Sequence, residues 1–169
     1  MKDQELIKAD GKIRLGIDDL ISFALSRIDR GQSVEISPRG HSMRPFIVEG
    51  RDSVVLSKIE TIKKYDILLY RRENGEYVLH RVIKCKDTFT FIGDNQLVCE
   101  KGIPRESILA VVSGVRRRDN LIARGSLKYR IYAIYYHRFR HLRAICVRIK
   151  QAVARLFGRN NHKGENKIC

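Results

Sequence analysis

The sequence predicts a mainly β domain, with a helix before it and a basic amphipathic helix after it. Three observations carry that expectation. Short runs rich in Val, Ile, Leu, Phe and Tyr recur between residues 53 and 113, with Gly, Asn and Asp between them. Such spacing describes a small barrel or sandwich-like β domain. Asn74-Gly75 stands between two of these runs and marks a hairpin. Beyond residue 115 the apolar residues recur in steps of three and four among many Lys and Arg, which is a helical period.

The elements follow in order. Residues 1–16 are polar and mixed, and a frayed lead-in is expected. Asp18 and Asp19 open a helix whose dipole favours acids in its first turn. Ile17, Leu20, Ile21, Ala24, Leu25 and Ile28 give it an apolar stripe, and Gly31 closes it. A strand at Ser33–Ile36 leads into Ser37-Pro38-Arg39-Gly40. Further strands are expected at Ser53–Leu56, Ile67–Tyr70, Tyr77–Lys84, Thr88–Ile92 and Ile108–Ser113. Arg116–Asp119 reads as a charged linker, Leu127–Phe157 as one long amphipathic helix or two in series, and Asn160–Cys169 as a disordered end. The domain plan is thus 1–32 for the lead-in and first helix, 33–115 for the β domain, and 116–169 for the basic tail.

Charge divides the chain in the same place. Residues 1–114 hold 19 Lys and Arg against 17 Asp and Glu, whereas residues 115–169 hold 15 against two, Asp119 and Glu165. A nearly neutral domain with so basic a tail is suited to an anionic surface. An anionic membrane fits the amphipathic pattern through an interfacial helix. Nucleic acid is the weaker fit, because no helix-turn-helix, zinc or RNA-binding motif accompanies the charge. No apolar run reaches the ~18 residues of a membrane span, and no secretory signal opens the chain. The expectation is a cytoplasmic protein, peripheral at the inner face of the membrane if it touches lipid. Cys85, Cys99, Cys146 and Cys169 show no metal-binding spacing, so no metal or cofactor is expected.

The chemistry-bearing stretch is Gly40-His41-Ser42-Met43-Arg44-Pro45. Gly40 permits a positive φ, and Pro45 stiffens the other side of the turn. A serine held there can stand exposed beside its own backbone N–H. It needs a base to become nucleophilic. On strand 77–84 the side chains alternate, so Tyr77, Leu79, Arg81 and Ile83 share one face and Val78, His80 and Val82 the other. His80 therefore lies on a sheltered face, neutral and able to take a hydroxyl proton. An acid beside its second nitrogen would set the tautomer, and Asp94 and Glu100 are the candidates. Loop serines, core histidines and Gly-Asp-Asn turns are each common without any catalytic role.

Taken together, Ser42-Met43-x-Pro45, Gly50 with Asp52, Tyr65-Asp66-Ile67, His80-Arg81-Val82-Ile83 and Gly93-Asp94-Asn95 resemble the ordered boxes of the signal peptidase I superfamily, which also contains the self-cleaving repressor peptidases. The resemblance spans about residues 33–115. It implies a β-rich serine endopeptidase with Ser42 as nucleophile, its N–H as an oxyanion donor, and Met43 and Pro45 as substrate-binding positions. Histidine rather than lysine at position 80 resembles the Ser–His subtype of the endoplasmic-reticulum, archaeal and sporulation enzymes. The aspartate that assists histidine in that subtype falls on Glu100. Several positions depart from the pattern: Arg51 follows Gly50 where an acid is usual, Tyr65 replaces a glycine, and the helix at 17–30 carries too many charges to be the anchor that precedes the serine box. The resulting expectation is cleavage of a leader or precursor peptide by a Ser42–His80 dyad, with activity rising through roughly pH 6–7. The alternatives are a catalytically degenerate module that binds membrane or nucleic acid, and a self-cleaving repressor-type peptidase. The latter normally uses a lysine base and needs DNA-binding helices that residues 1–32 are too short to supply.

Overall fold

A computed structural model describes residues 16–139 together with Ile145 and Ile149. The chain divides into two compact units after Ser126. In the first, helix α1 (Ile17–Asp29) precedes eight strands: β1 (Val34–Ile36), β2 (Asp52–Ser57), β3 (Ile67–Arg71), β4 (Tyr77–Cys85), β5 (Phe89–Ile92), β6 (Glu100–Ile103), β7 (Ile108–Arg117) and β8 (Asn120–Ala123). All pair antiparallel in one sheet, ordered β1-β2-β7-β3-β4-β5-β6, with β8 also on β7. In the second unit, α2 covers Leu127–Arg138. The mainly β class with a helix at each end is as the sequence predicts.

The hairpin at Asn74-Gly75 fixes the register of the sheet's middle. Gly75 has φ +88°, its N–H donates to the Arg72 carbonyl, and β3 and β4 pair with Leu68 opposite His80 and Tyr70 opposite Val78. Tyr70 is thus a diagonal neighbour of His80 on the same face. That face holds the core: Leu68, Tyr70, Val82, Phe89, Phe91, Ile108 and Val111 are buried together. The Tyr70 and Phe91 rings stack at 4.4 Å.

Two strands and one boundary differ from the sequence reading. Glu100–Ile103 is a strand, although Glu-Lys-Gly-Ile lacks the apolar alternation that betrays one. Arg116 and Arg117 belong to β7, and Arg118-Asp119 turns the chain into β8, so the expected linker is a hairpin. These arginines are structural. Arg116 pairs with Glu35, Arg117 with Asp52, and Arg124 with Asp66. The excess positive charge therefore sits further along, where residues 127–169 hold eleven Lys and Arg against Glu165 alone. On α1, Ile21, Ala24 and Ile28 are buried, whereas Ile17 and Leu20 of the expected stripe are exposed. The expected apolar face of α2 is exposed as well: Leu127, Ile131, Ile134 and Tyr135 lie at the surface, and Tyr129 and Ala133 are the buried positions. The lead-in through residue 15, and the tail after Phe139 apart from Ile145 and Ile149, lie outside the described residues.

Candidate active site

The serine turn is built from backbone geometry and buried anchors. Gly40 has φ +97°, a region closed to most side chains, and the Arg44–Pro45 peptide is cis. Met43, Phe46 and Ile47 are buried and pin the turn, while Ser42 stays half-exposed. Asp52 closes the loop from beneath. It accepts hydrogen bonds from the Val48 N–H at 2.9 Å and from Arg51 and Arg117, and Arg117 also donates to the Phe46 carbonyl. Burial pushes the Asp52 carboxyl up, but these donors outweigh it and bring it down to about 2. Asp52 thus holds together the loop that carries Ser42.

The Gly93-Asp94-Asn95 segment docks onto the same turn. The Asn95 N–H donates to the Ser42 carbonyl at 2.7 Å. A β-carbon on residue 93 would stand 2.7 Å from that carbonyl oxygen, so the approach itself demands glycine. Ser42 and His80 line one cleft of about 1180 Å³, together with Ile36, Gly40, Met43 and Gln96. Pro45 is exposed and is not among the residues that line this cleft, whereas Met43 is. Among the described residues the Ser42 N–H donates to no protein group, so it is available to an oxyanion.

His80 is 1% exposed and held on one side only. Its Nδ1 lies 3.1 Å from the Tyr70 hydroxyl and 3.2 Å from Glu100 Oε1. The Tyr70 hydroxyl donates its single proton to Glu100 Oε2 at 2.8 Å, so toward His80 its oxygen can only accept. The network therefore assigns the imidazole proton to Nδ1 and leaves the Nε2 lone pair bare. Arg72, in the β3–β4 turn, donates to both oxygens of Glu100. Burial drives Glu100 up, but the bonds from Arg72 and Tyr70 win, and the carboxyl is held below its usual range. Burial also brings His80 down to about 4, with Glu100 opposing and Arg72 reinforcing the shift. His80 is a neutral ring at pH 7. No hydrogen bond joins the Ser42 hydroxyl to it, and in sites without substrate such bonds are often long until the complex forms.

Asp94 is not at His80. It lies on Arg81, whose guanidinium donates to both carboxylate oxygens at 2.9 and 2.8 Å, with both side chains 0% exposed. The reason is strand parity: successive residues of β4 point to opposite faces, so His80 meets Glu100 and Arg81 meets Asp94. Arg81 also donates to the Tyr65 carbonyl and lies over the Phe46 ring at 5.1 Å. Tyr65 has φ +76°. It keeps the left-handed turn at an expected strain of about 1–2 kcal/mol. The pair Arg81–Asp94 thus ties β4, the Tyr65 turn, the serine turn and the Gly93 segment together. Sequence reading missed Tyr70 and Arg72. Tyr70 was reachable by counting register back from Asn74-Gly75, whereas Arg72 carried no signal.

No group of three or more His, Cys, Asp and Glu that could hold a metal occurs among the described residues. No family model, curated protein or solved structure matches the chain.

Proposed function

We propose that the chain is a serine endopeptidase of signal-peptidase type, cleaving a leader or precursor peptide through Ser42 and His80. The observation that carries this reading is that Ser42 and His80 line one cleft while Tyr70 and Glu100 take up the far nitrogen of the ring. A base so arranged has its lone pair on the nitrogen left for the hydroxyl proton.

In this reading, the Ser42 hydroxyl oxygen attacks the scissile carbonyl carbon as its proton passes to His80 Nε2. The Ser42 N–H stabilises the oxyanion, and Glu100, through Nδ1, stabilises the imidazolium. The imidazolium returns the proton to the departing amine as the C–N bond breaks, leaving an ester on Ser42. Water then attacks the ester carbon and gives a proton to Nε2; the acyl C–O bond to Ser42 breaks, the carboxylic acid fragment departs, and the serine oxygen takes the proton back from Nε2. The substrate is an extended segment. Among the described residues strand β1 pairs with β2 alone, its Ile36 and the adjoining Ser37 line the cleft, and a peptide can add to that edge.

Mass spectrometry of peptides from cells making wild type or Ser42→Ala tests the reading. New termini must appear with the wild type and vanish with the variant. Processing that persists with Ser42→Ala refutes the peptidase assignment and leaves the non-catalytic module as the surviving account.

A further inference from the structure

Helix α2 turns its apolar residues outward. Leu127 is 74% exposed, Ile131 57% and Tyr135 64%, and the helical positions Ile145 and Ile149 are exposed too. At about 100° per residue, Leu127, Ile131, Ile134 and Tyr135 of α2 fall within one arc of roughly 100°. Tyr129 and Ala133, the buried positions, lie on the opposite side. Phe139 extends the outward stripe, its ring 4.7 Å from that of Tyr135. Lys128 and Arg130 flank the stripe on its two edges. Among the described residues, neither they nor Arg138 is in an ion pair.

An outward apolar stripe needs a covering partner, and the charge says which. A second copy of the helix could match the three-four spacing. It would, however, bring together two segments that each hold eleven cations against one anion. Like charges along such a seam oppose pairing. An anionic lipid leaflet takes up both features, receiving the stripe between its acyl chains and the flanking cations at its headgroups. Each Lys or Arg near such a surface contributes about 1 kcal/mol. No described helix is long and apolar enough to cross a membrane, so the geometry is that of a helix lying in the plane of the leaflet.

We propose that α2 is an interfacial helix, which seats its outward stripe in an anionic membrane surface. The proposal is independent of Ser42 chemistry. The test is co-sedimentation of the full chain with vesicles of phosphatidylcholine alone or containing phosphatidylglycerol. The expected result is binding to the anionic vesicles only, weakened by salt as headgroup attraction is screened. Ile131→Asp with Ile134→Asp alters exposed positions, so the fold should survive by circular dichroism while vesicle affinity falls more than about tenfold. Lys128→Gln with Arg130→Gln should cost roughly 30-fold, the equivalent of about 2 kcal/mol. Ser42→Ala should bind as the wild type does. Equal binding to neutral vesicles, or full binding by the Asp double variant, overturns the proposal. So does a dimer that the Asp variant splits while neither protein binds vesicles, which would make a second copy the partner. Displacement from vesicles by duplex DNA that the Asp variant binds as tightly as wild type also overturns it, since phosphate alone would then be recognised.

Discussion

Replacing Glu100 with glutamine tests how the site works, because it keeps the shape of the side chain and removes only its charge. Glu100 stands 3.2 Å from His80 Nδ1 and accepts from the Tyr70 hydroxyl at 2.8 Å. A full charge at that distance from the imidazolium would interact by about 5 kcal/mol at an effective dielectric near 20. Arg72 occupies both oxygens of the carboxylate, and the side chain is a quarter exposed, so much of that is cancelled. What remains is of the order of a hydrogen bond to a charged group, about 1.5–3 kcal/mol. Because the imidazolium exists only after proton transfer, the loss should fall on kcat, roughly 10- to 150-fold, with KM little changed. The assay is kcat and KM on the best-cleaved member of a peptide library, across pH. In the wild type the rising limb should lie near pH 4, below the pH 6–7 of an unperturbed histidine, because burial brings His80 down to about 4. In Glu100→Gln the plateau should drop and the limb should move lower still, since the group opposing the shift is gone. A plateau within twofold of wild type, with only thermal stability reduced, would refute the electrostatic role and reduce Glu100 to a strut for Arg72.

Three further outcomes follow from the same geometry. Asp94→Asn leaves the Arg81 guanidinium, 0% exposed, without its anion. It should cost about 3–5 kcal/mol in urea unfolding, while the rising limb moves lower by less than in Glu100→Gln, because Asp94 opposes the His80 shift only through space; a limb displaced as far as in Glu100→Gln would place Asp94 at the histidine. Gly93→Ala puts a β-carbon 2.7 Å from the Ser42 carbonyl oxygen. Overpacking of about 1–3 kcal/mol and a loss of kcat of at least about tenfold are expected, and unchanged kinetics would show that the serine turn is not held by that contact. For His80 the folded value, about 4, lies below the ordinary 6.5, so between those pH values the unfolded chain binds more protons. Stability should therefore fall as pH drops from about 6.5 to 4, by about 3 kcal/mol from this group. Chemical denaturation of His80→Gln should show a correspondingly flatter decline in that window, and an equal slope would contradict the burial argument.

The sequence carried the strands whose alternation reflects a half-buried sheet; it offered Ser42 from the Gly40–Pro45 turn and His80 from its place on an alternating strand, and the two line one cleft. It could not separate Glu100 from Asp94. That choice depends on β6, a four-residue strand containing a glycine and two charges, whose pairing of Glu100 opposite Phe91 delivers the acid to the face that His80 shares. Strand parity already puts Arg81 and His80 on opposite faces, and Arg81 is the stronger claimant for whichever acid lies on its side. Arg81 takes both oxygens of Asp94 on the face opposite His80. Glu100 is also clamped by an arginine, yet it remains coupled to the histidine because Tyr70 bridges them from the core, its ring fixed against Phe91. A tyrosine in a strand reads from sequence as core and nothing more. In three dimensions the same side chain stacks with its ring and sets a tautomer with its hydroxyl, and only the register makes the second role visible.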